Sequence, residues 1–156
     1  MIRLSVPGTL LFRDVVLRVT ASTCKLMRSS ALNAQLVTPE IKQEPSREDH
    51  EFDDKVVSAV GEAFNNVAIH AYRGGAAGTV DLEFEIGQDR ITIRLLDTGV
   101  AFEPGKELTP DFTALPESRM GLYIVRSFMD EVTYRRGNPP TVPNVLTLSK
   151  RYVAAG

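Results

Sequence analysis

A two-layer α/β fold, with helices on one face of a mixed, mostly antiparallel sheet, is predicted by three features of the sequence. Residues 79–86 and 90–95 alternate with period two, residues 47–72 carry apolar positions at helical spacing, and a helical segment followed by two strand-like runs begins at residue 120. The 156 residues predict a single domain over 1–156, since domains commonly span ~100–200 residues, with no separate sensor, anchor or phosphoacceptor unit. A hydrophobic share of 43% beside 24% charged residues suffices for a packed core and excludes wholesale disorder. Lys plus Arg number 18 against 20 Asp plus Glu, so the basic excess that phosphate-backbone binding needs is missing and no direct nucleic-acid contact is expected. Cys24 is the single cysteine, which excludes an internal disulfide or a multi-cysteine zinc site and predicts a buried small hydrophobe. The apolar stretch at 10–12 lies between Pro7-Gly8 and Arg13-Asp14, too short for a signal or a membrane span, so a reducing cytoplasm is the predicted location.

In chain order, residues 2–6 form a short strand closed by the turn pair Pro7-Gly8. Leu11, Val15, Val19 and Leu26-Met27 recur near helical spacing and predict a helix whose buried stripe they form. Residues 29–49 turn polar, with Pro39 and Pro45, and read as a surface excursion. Ser46-Arg47-Glu48-Asp49 has the spacing of a capping box, so a long helix starts there and runs to about Tyr72, where Arg73-Gly74-Gly75 ends it. The hairpin over 79–95 turns at Gly87-Gln88-Asp89, and its polar alternate positions predict one wet sheet face. Residues 98–119 hold Gly99, Pro104, Gly105, Pro110 and Pro116 and form a long loop of the kind that is usually functional or disordered. A helix over 120–130 and strands over 131–135 and 144–151, joined by Gly137-Asn138-Pro139-Pro140, complete the chain.

Three groups of residues carry candidate chemistry. Glu62, Asn66 and His70 stand at i, i+4 and i+8, drifting about 40° per step along one helix edge. They border the apolar arc of Val56, Val60, Ala63, Phe64, Val67 and Ala71, where polar groups need partners; an ordinary polar face on an amphipathic helix gives the same pattern. Asp97 and Gly99 follow the second hairpin strand. A carboxylate there can accept from an adenine amino group and a bare backbone can admit a flat base, although an aspartate turn uses the same residues. Gly121, at the predicted start of the next helix, suits an anion site, as would any helix entry.

Taken in order, Glu-x-x-x-Asn-x-x-x-His-Ala-Tyr, a hairpin, Asp-x-Gly-x-x-Phe-x-Pro, a lid-length loop and Met-Gly-Leu-Tyr-Ile-Val-Arg-Ser-Phe-Met-Asp-Glu-Val resemble the ATPase superfamily of gyrase, heat-shock chaperones, histidine kinases and MutL. Within it the chain looks most like the bacterial anti-sigma-factor serine/threonine-protein kinases, over roughly residues 50–151. The resemblance implies the histidine-kinase-like ATPase fold, ATP and Mg2+ as cofactors, and a kinase that binds a sigma factor and phosphorylates an anti-anti-sigma (STAS-type) protein. Homodimerisation is a further expectation of the resemblance. By the same resemblance Asn66 ligates Mg2+ and Glu62 is the general base, while Asp97 reads adenine and Gly99 admits it. Thr147 supports the adenine contact, residues 103–119 form the ATP lid, and Phe102, Arg119, Met120, Gly121 and Leu122 complete the nucleotide site with Gly121 cradling phosphate. His70 matches a family position that serves either structure or catalysis.

The chain departs from the pattern at Arg119, where the family usually has glycine. A side chain there restricts the loop or itself contacts phosphate. A nucleotide-dependent protein-binding switch with little or no kinase activity is the alternative, and retained Glu62 favours the enzyme. His50-Glu51-Phe52 resembles a phosphoacceptor histidine box, yet Asp53-Asp54-Lys55 after it do not fit. An α/β domain that has lost nucleotide binding is the remaining reading.

Overall fold

The computed structural model describes residues 1–33, 44–72, 78–100 and 117–153. Among them the elements run β1 (Ile2–Pro7), α1 (Arg13–Asn33), α2 (Arg47–Asn66), β2 (Thr79–Ile86), β3 (Arg90–Asp97), α3 (Glu117–Phe128), β4 (Glu131–Arg135) and β5 (Asn144–Arg151). The strands form one sheet in the order β1-β2-β3-β5-β4 with every pairing antiparallel. This is the helix-on-sheet sandwich that the alternation predicts.

Residue alternation decides which sheet face is covered. Leu82 and Phe84 of β2, Ile91, Ile93 and Leu95 of β3, and Leu146 and Leu148 of β5 are buried in one core with Val56, Val60, Ala63, Phe64 and Val67 at α2. The opposite face carries Arg3, Glu83, Arg94, Thr147 and Thr133 in one cross-strand row, a wet polar surface. The register sets Asp97 directly opposite Asn144, at the β3 end that leads into the site.

The capping box forms as the sequence predicts. Ser46 Oγ accepts from the Asp49 N–H at 3.1 Å, and Asp49 Oδ2 accepts from the Ser46 N–H at 2.8 Å, satisfying two donors at the α2 start. Tyr152, beyond β5, donates its hydroxyl to Asp49 Oδ1 at 2.7 Å and stacks edge-on against Phe52, so the end of the last strand is tied to the head of α2. Arg28 pairs with Asp53 across the α1–α2 contact. After Asn66 the helix widens into a π-helical turn, Val67–Ala71, before Tyr72.

Three sequence expectations are corrected. The buried side of α1 is Val16, Thr20, Thr23, Cys24 and Met27, while Leu11 is 84% exposed and Val15 and Leu26 are also exposed. Threonines supply part of the buried face because their hydroxyls return to the helix, Thr20 to Val16 O and Thr23 to Val19 O, both at 2.7 Å. Both ends of the 29–49 excursion are helical, since α1 runs to Asn33 and α2 starts at Arg47; residues 34–43 lie outside the described residues. The third helix begins at Glu117, not at 120, so the end of the long loop is its first turn. Cys24 is the buried small hydrophobe expected, and burial, reinforced by nearby Asp53, pushes its thiol up to about 12.

Candidate functional site

Two polar clusters form around α2. In the first, α3 lies against the α2 edge that carries Glu62 and Asn66. A Cβ built on Gly121 would sit 2.8 Å from Glu62 Oε2 and 3.5 Å from Asn66 Nδ2, so the bare glycine is what lets α3 approach these side chains. Asn66 is 5% exposed, and its Nδ2 has no hydrogen-bond partner among the described residues. A buried amide group left unpaired costs roughly 1–3 kcal/mol, an arrangement that structure alone does not reward.

Gly121 is not at the helix start, because α3 begins four residues earlier. Its N–H is then directed at the carbonyl four residues back and is not among the orphan donors of the first turn. The expected place of Gly121 at the helix start is therefore corrected, and what the structure shows at Gly121 is the close approach of α3 to α2. Leu122 is buried. Arg119 and Met120 lie in the first turn of α3, while Phe102, residues 103–116 of the expected lid, and the side chains of Arg119, Met120 and His70 fall outside the described residues.

The second cluster stands at the exit of β3. Asp97, 3% exposed, accepts at Oδ1 from the Gly99 N–H at 3.0 Å and from Asn144 Nδ2 at 3.1 Å. Asn144, fully buried, also donates Nδ2 to Gly99 O at 3.0 Å, and its Oδ1 accepts from the Gly137 N–H at 2.9 Å. Burial raises the Asp97 carboxyl, and the hydrogen bonds from Asn144 and Gly99 act against that rise. Tyr72 braces the same corner: its ring lies between Gly8 and Gly78, where a Cβ on either would collide with it. Its hydroxyl donates to Thr79 O at 2.8 Å and accepts from the Thr98 N–H at 3.3 Å.

Thr147 does not join this cluster. It is paired with Arg94 and Thr133 on the wet face, whereas Asp97 and Asn144 share the helix-covered face with Leu95 and Leu146. Period-two alternation puts residues 144 and 147 on opposite faces, so the β5 residue beside Asp97 is Asn144, which the sequence reading missed. The signal was a polar residue opening a strand whose inward positions are marked by Leu146 and Leu148.

With this geometry in view, the sequence matches the family described as histidine kinase-like ATPase domain over residues 21–150. The chain belongs to that family. It is 36% identical over 89 residues to an anti-sigma F factor of Clostridium beijerinckii, covering 53% of this chain and 62% of that protein. It is 34% identical over 105 residues to the serine-protein kinase RsbW of Bacillus pumilus (61% of this chain, 65% of that protein) and 33% over 92 residues to RsbW of Bacillus subtilis (54% and 58%). The chain thus spans less than two thirds of the length of these curated relatives. Among the described residues no helix is long and apolar enough to cross a membrane.

Proposed function

We propose that this chain is an ATP-dependent protein serine/threonine kinase that acts in the cytoplasm as an anti-sigma regulatory factor, binding a sigma factor and phosphorylating an anti-anti-sigma protein. The observation that carries the reading is Asn66 beside the Glu62 carboxylate on an ATPase-family helix: its buried Nδ2, a donor without a partner among the described residues, suits a phosphate oxygen and leaves Oδ1 for a cation. The names of the relatives, anti-sigma F factor and serine-protein kinase, support the class of partner and of reaction.

The donor set suits Mg2+. Mg2+ keeps several waters and binds substrate phosphates, so one side-chain amide oxygen is a sufficient protein contribution. Asn66 holds it through the side-chain oxygen. When bound, Mg2+ neutralises phosphate charge. Glu62, one turn earlier, accepts the proton of the attacking serine hydroxyl as its oxygen bonds to the γ-phosphorus and the β–γ bridging oxygen leaves with ADP. At the other end, Asp97 accepts from the adenine amino group and the backbone at Gly99 admits the base.

The test is incubation of the purified chain with Mg2+, ATP and the anti-anti-sigma protein encoded near its gene, followed by mass spectrometry of the acceptor. Phosphoserine or phosphothreonine on the acceptor is expected, and is lost with Glu62→Gln. ATP binding without any phosphoryl transfer would replace the kinase with a nucleotide-dependent binding switch.

A further inference from the structure

We infer that Arg13 is an oxyanion-binding residue for the protein acceptor: its guanidinium, laid over Gly61 on the outer side of α2, takes a carboxylate that the acceptor presents beside its reacting hydroxyl. This deepens the proposed function and rests on it for the identity of the acceptor.

An α-helix turns about 100° per residue, so while Val56, Val60, Ala63 and Phe64 of α2 face the core, Asp54, Ser58, Gly61 and Asn65 share the opposite side. Asp54 and Ser58 are exposed. Gly61 is buried all the same, because Arg13, the first residue of α1, reaches across it. A Cβ built on Gly61 would stand 2.9 Å from Arg13 Nη2 and 2.9 Å from Leu17 Cδ2, so the bare glycine is the notch in which the guanidinium lies. Arg13 Nε donates to Asn65 Oδ1 at 3.0 Å, one turn further along α2. Glycine and amide together fix the guanidinium on the helix surface next to Glu62, whose own carboxylate faces Gly121 on the α3 side.

A guanidinium half-withdrawn from water calls for an anion. Among the described residues Arg28, Arg90 and Arg94 are the other arginines so placed, and each has a carboxylate partner in Asp53, Glu131 and Glu85. Arg13 has no ion-pair partner among the described residues and is held by a neutral amide. Aspartate at position 65 would fill the same space and neutralise the charge; asparagine orients the arginine and leaves that charge for an incoming oxyanion, which the planar fork suits. Asn66, the proposed Mg2+ ligand, is on the α3 side, so an anion at Arg13 comes from the other reactant. Leu10 and Leu11, 52% and 84% exposed in the turn before Arg13, put apolar side chains beside it, which suits a protein surface better than a free anion.

Asn65→Asp isolates the charge. It keeps the size and the acceptor for Arg13 Nε and supplies an internal counterion, so the tie between α1 and α2 is kept while the guanidinium is neutralised. The experiment measures three quantities for the wild type and the variant: the calorimetric Kd for the anti-anti-sigma protein encoded near the gene, the Kd for ATP with Mg2+, and the denaturation midpoint. Expected is a loss of about tenfold in affinity for the acceptor, narrowing with added salt, with ATP affinity within about twofold and a midpoint that does not fall. In transfer assays the KM for the acceptor should rise by a similar factor. Unchanged acceptor affinity would overturn the inference and leave Arg13 a structural tie. A loss confined to ATP would overturn it too, placing Arg13 at the nucleotide. Should Asn65→Asp not fold, Arg13→Met, which keeps the packing on Gly61 and Leu17 without the charge, is expected to show the same loss of acceptor affinity, and wild-type affinity in it overturns the inference. The acceptor Kd is read without turnover, so absence of phosphoryl transfer by the wild type would overturn the kinase reading alone, whereas absence of acceptor binding by the wild type would overturn this inference.

Discussion

At the exit of β3, Asp97, Gly99, Asn144 and Gly137 are joined by hydrogen bonds of 2.9–3.1 Å, and Tyr72, after the π-helical turn, braces the adjoining backbone. At the α2–α3 contact, Asn66 has a buried amide nitrogen with no hydrogen-bond partner among the described residues, and Gly121 lets α3 come close to it and to the Glu62 carboxylate. The first corner is organised before any ligand arrives. The second carries an unpaired donor that an acceptor such as a phosphate oxygen would satisfy, a local cost that ligand binding would relieve. On the proposed function, base recognition would belong to the sheet and phosphate chemistry to the helices.

The sharpest way to break this contrast is Asn66→Ala. Mg2+-dependent ATP binding should be abolished, while the unfolding free energy stays within about 1 kcal/mol of wild type because no hydrogen bond of Nδ2 is lost. Titration calorimetry and denaturant melts check the two halves, and a large stability loss with binding intact would contradict the contrast. Glu62→Gln comes next. It should retain ATP binding and lower phosphoryl transfer by about 10²–10⁴-fold, measured in single-turnover assays; near-wild-type transfer would remove Glu62 from the role of base.

Gly121→Ala separates packing from phosphate binding. The added methyl meets the flexible end of Glu62, so the side chain gives way, and alanine in a helix interior returns up to about 1 kcal/mol. Stability should hold or rise while transfer drops about tenfold through a displaced carboxylate. The smallest effect is expected of Tyr72→Phe. The ring keeps its place between the two glycines and only the hydroxyl bonds go, costing about 1 kcal/mol in thermal melts with a few-fold loss of ATP affinity.

The pH dependence of stability separates the base corner from the head of α2. Asp97 has a raised folded-state pKa, so the native state holds its proton more tightly than the unfolded chain and this group's contribution falls as pH rises from the usual carboxylate range through the folded value. Asp49 behaves oppositely: burial works against ionisation, but the bonds from the Tyr152 hydroxyl and from Ser46 prevail and hold it below the usual range. Its contribution is present above the unfolded value and is lost as pH falls through the folded one. The stability cost of Asp97→Ala, which strands the Asn144 and Gly99 donors, should therefore shrink as pH rises through the folded Asp97 pKa, whereas the cost of Asp49→Ala should be largest near neutrality.

Much of this was legible before the structure. Strong local signals placed β4, β5, the hairpin and the capping box at Ser46, because each depends on neighbours within a few residues. The placing of Glu62 and Asn66 on one edge of α2, and of Asp97 at a strand end, was legible from spacing and alternation, while the roles given to them come from the resemblance alone. Asn144 was not legible, because its partnership with Asp97 arises from the β3–β5 register, a pairing 47 residues apart in sequence. Thr147 misled by residue type, although Leu146 and Leu148 already set the parity that turns it outward. On α1 the expected stripe is right at Val19 and Met27 but misses Val16, Thr20 and Thr23, because threonines that return their hydroxyls to the helix can line a buried face. Gly121 was read through a helix start that lies one turn earlier, after Pro116.

The most direct measurement is titration of Mg2+ and ATP into the wild type, Asn66→Ala and Asp97→Asn side by side. A site with its metal amide on α2 and its base carboxylate on β3 predicts saturable binding by the wild type, loss of Mg2+ dependence in Asn66→Ala, and loss of preference for ATP over GTP in Asp97→Asn. Equal binding by all three, or none by the wild type, would contradict it.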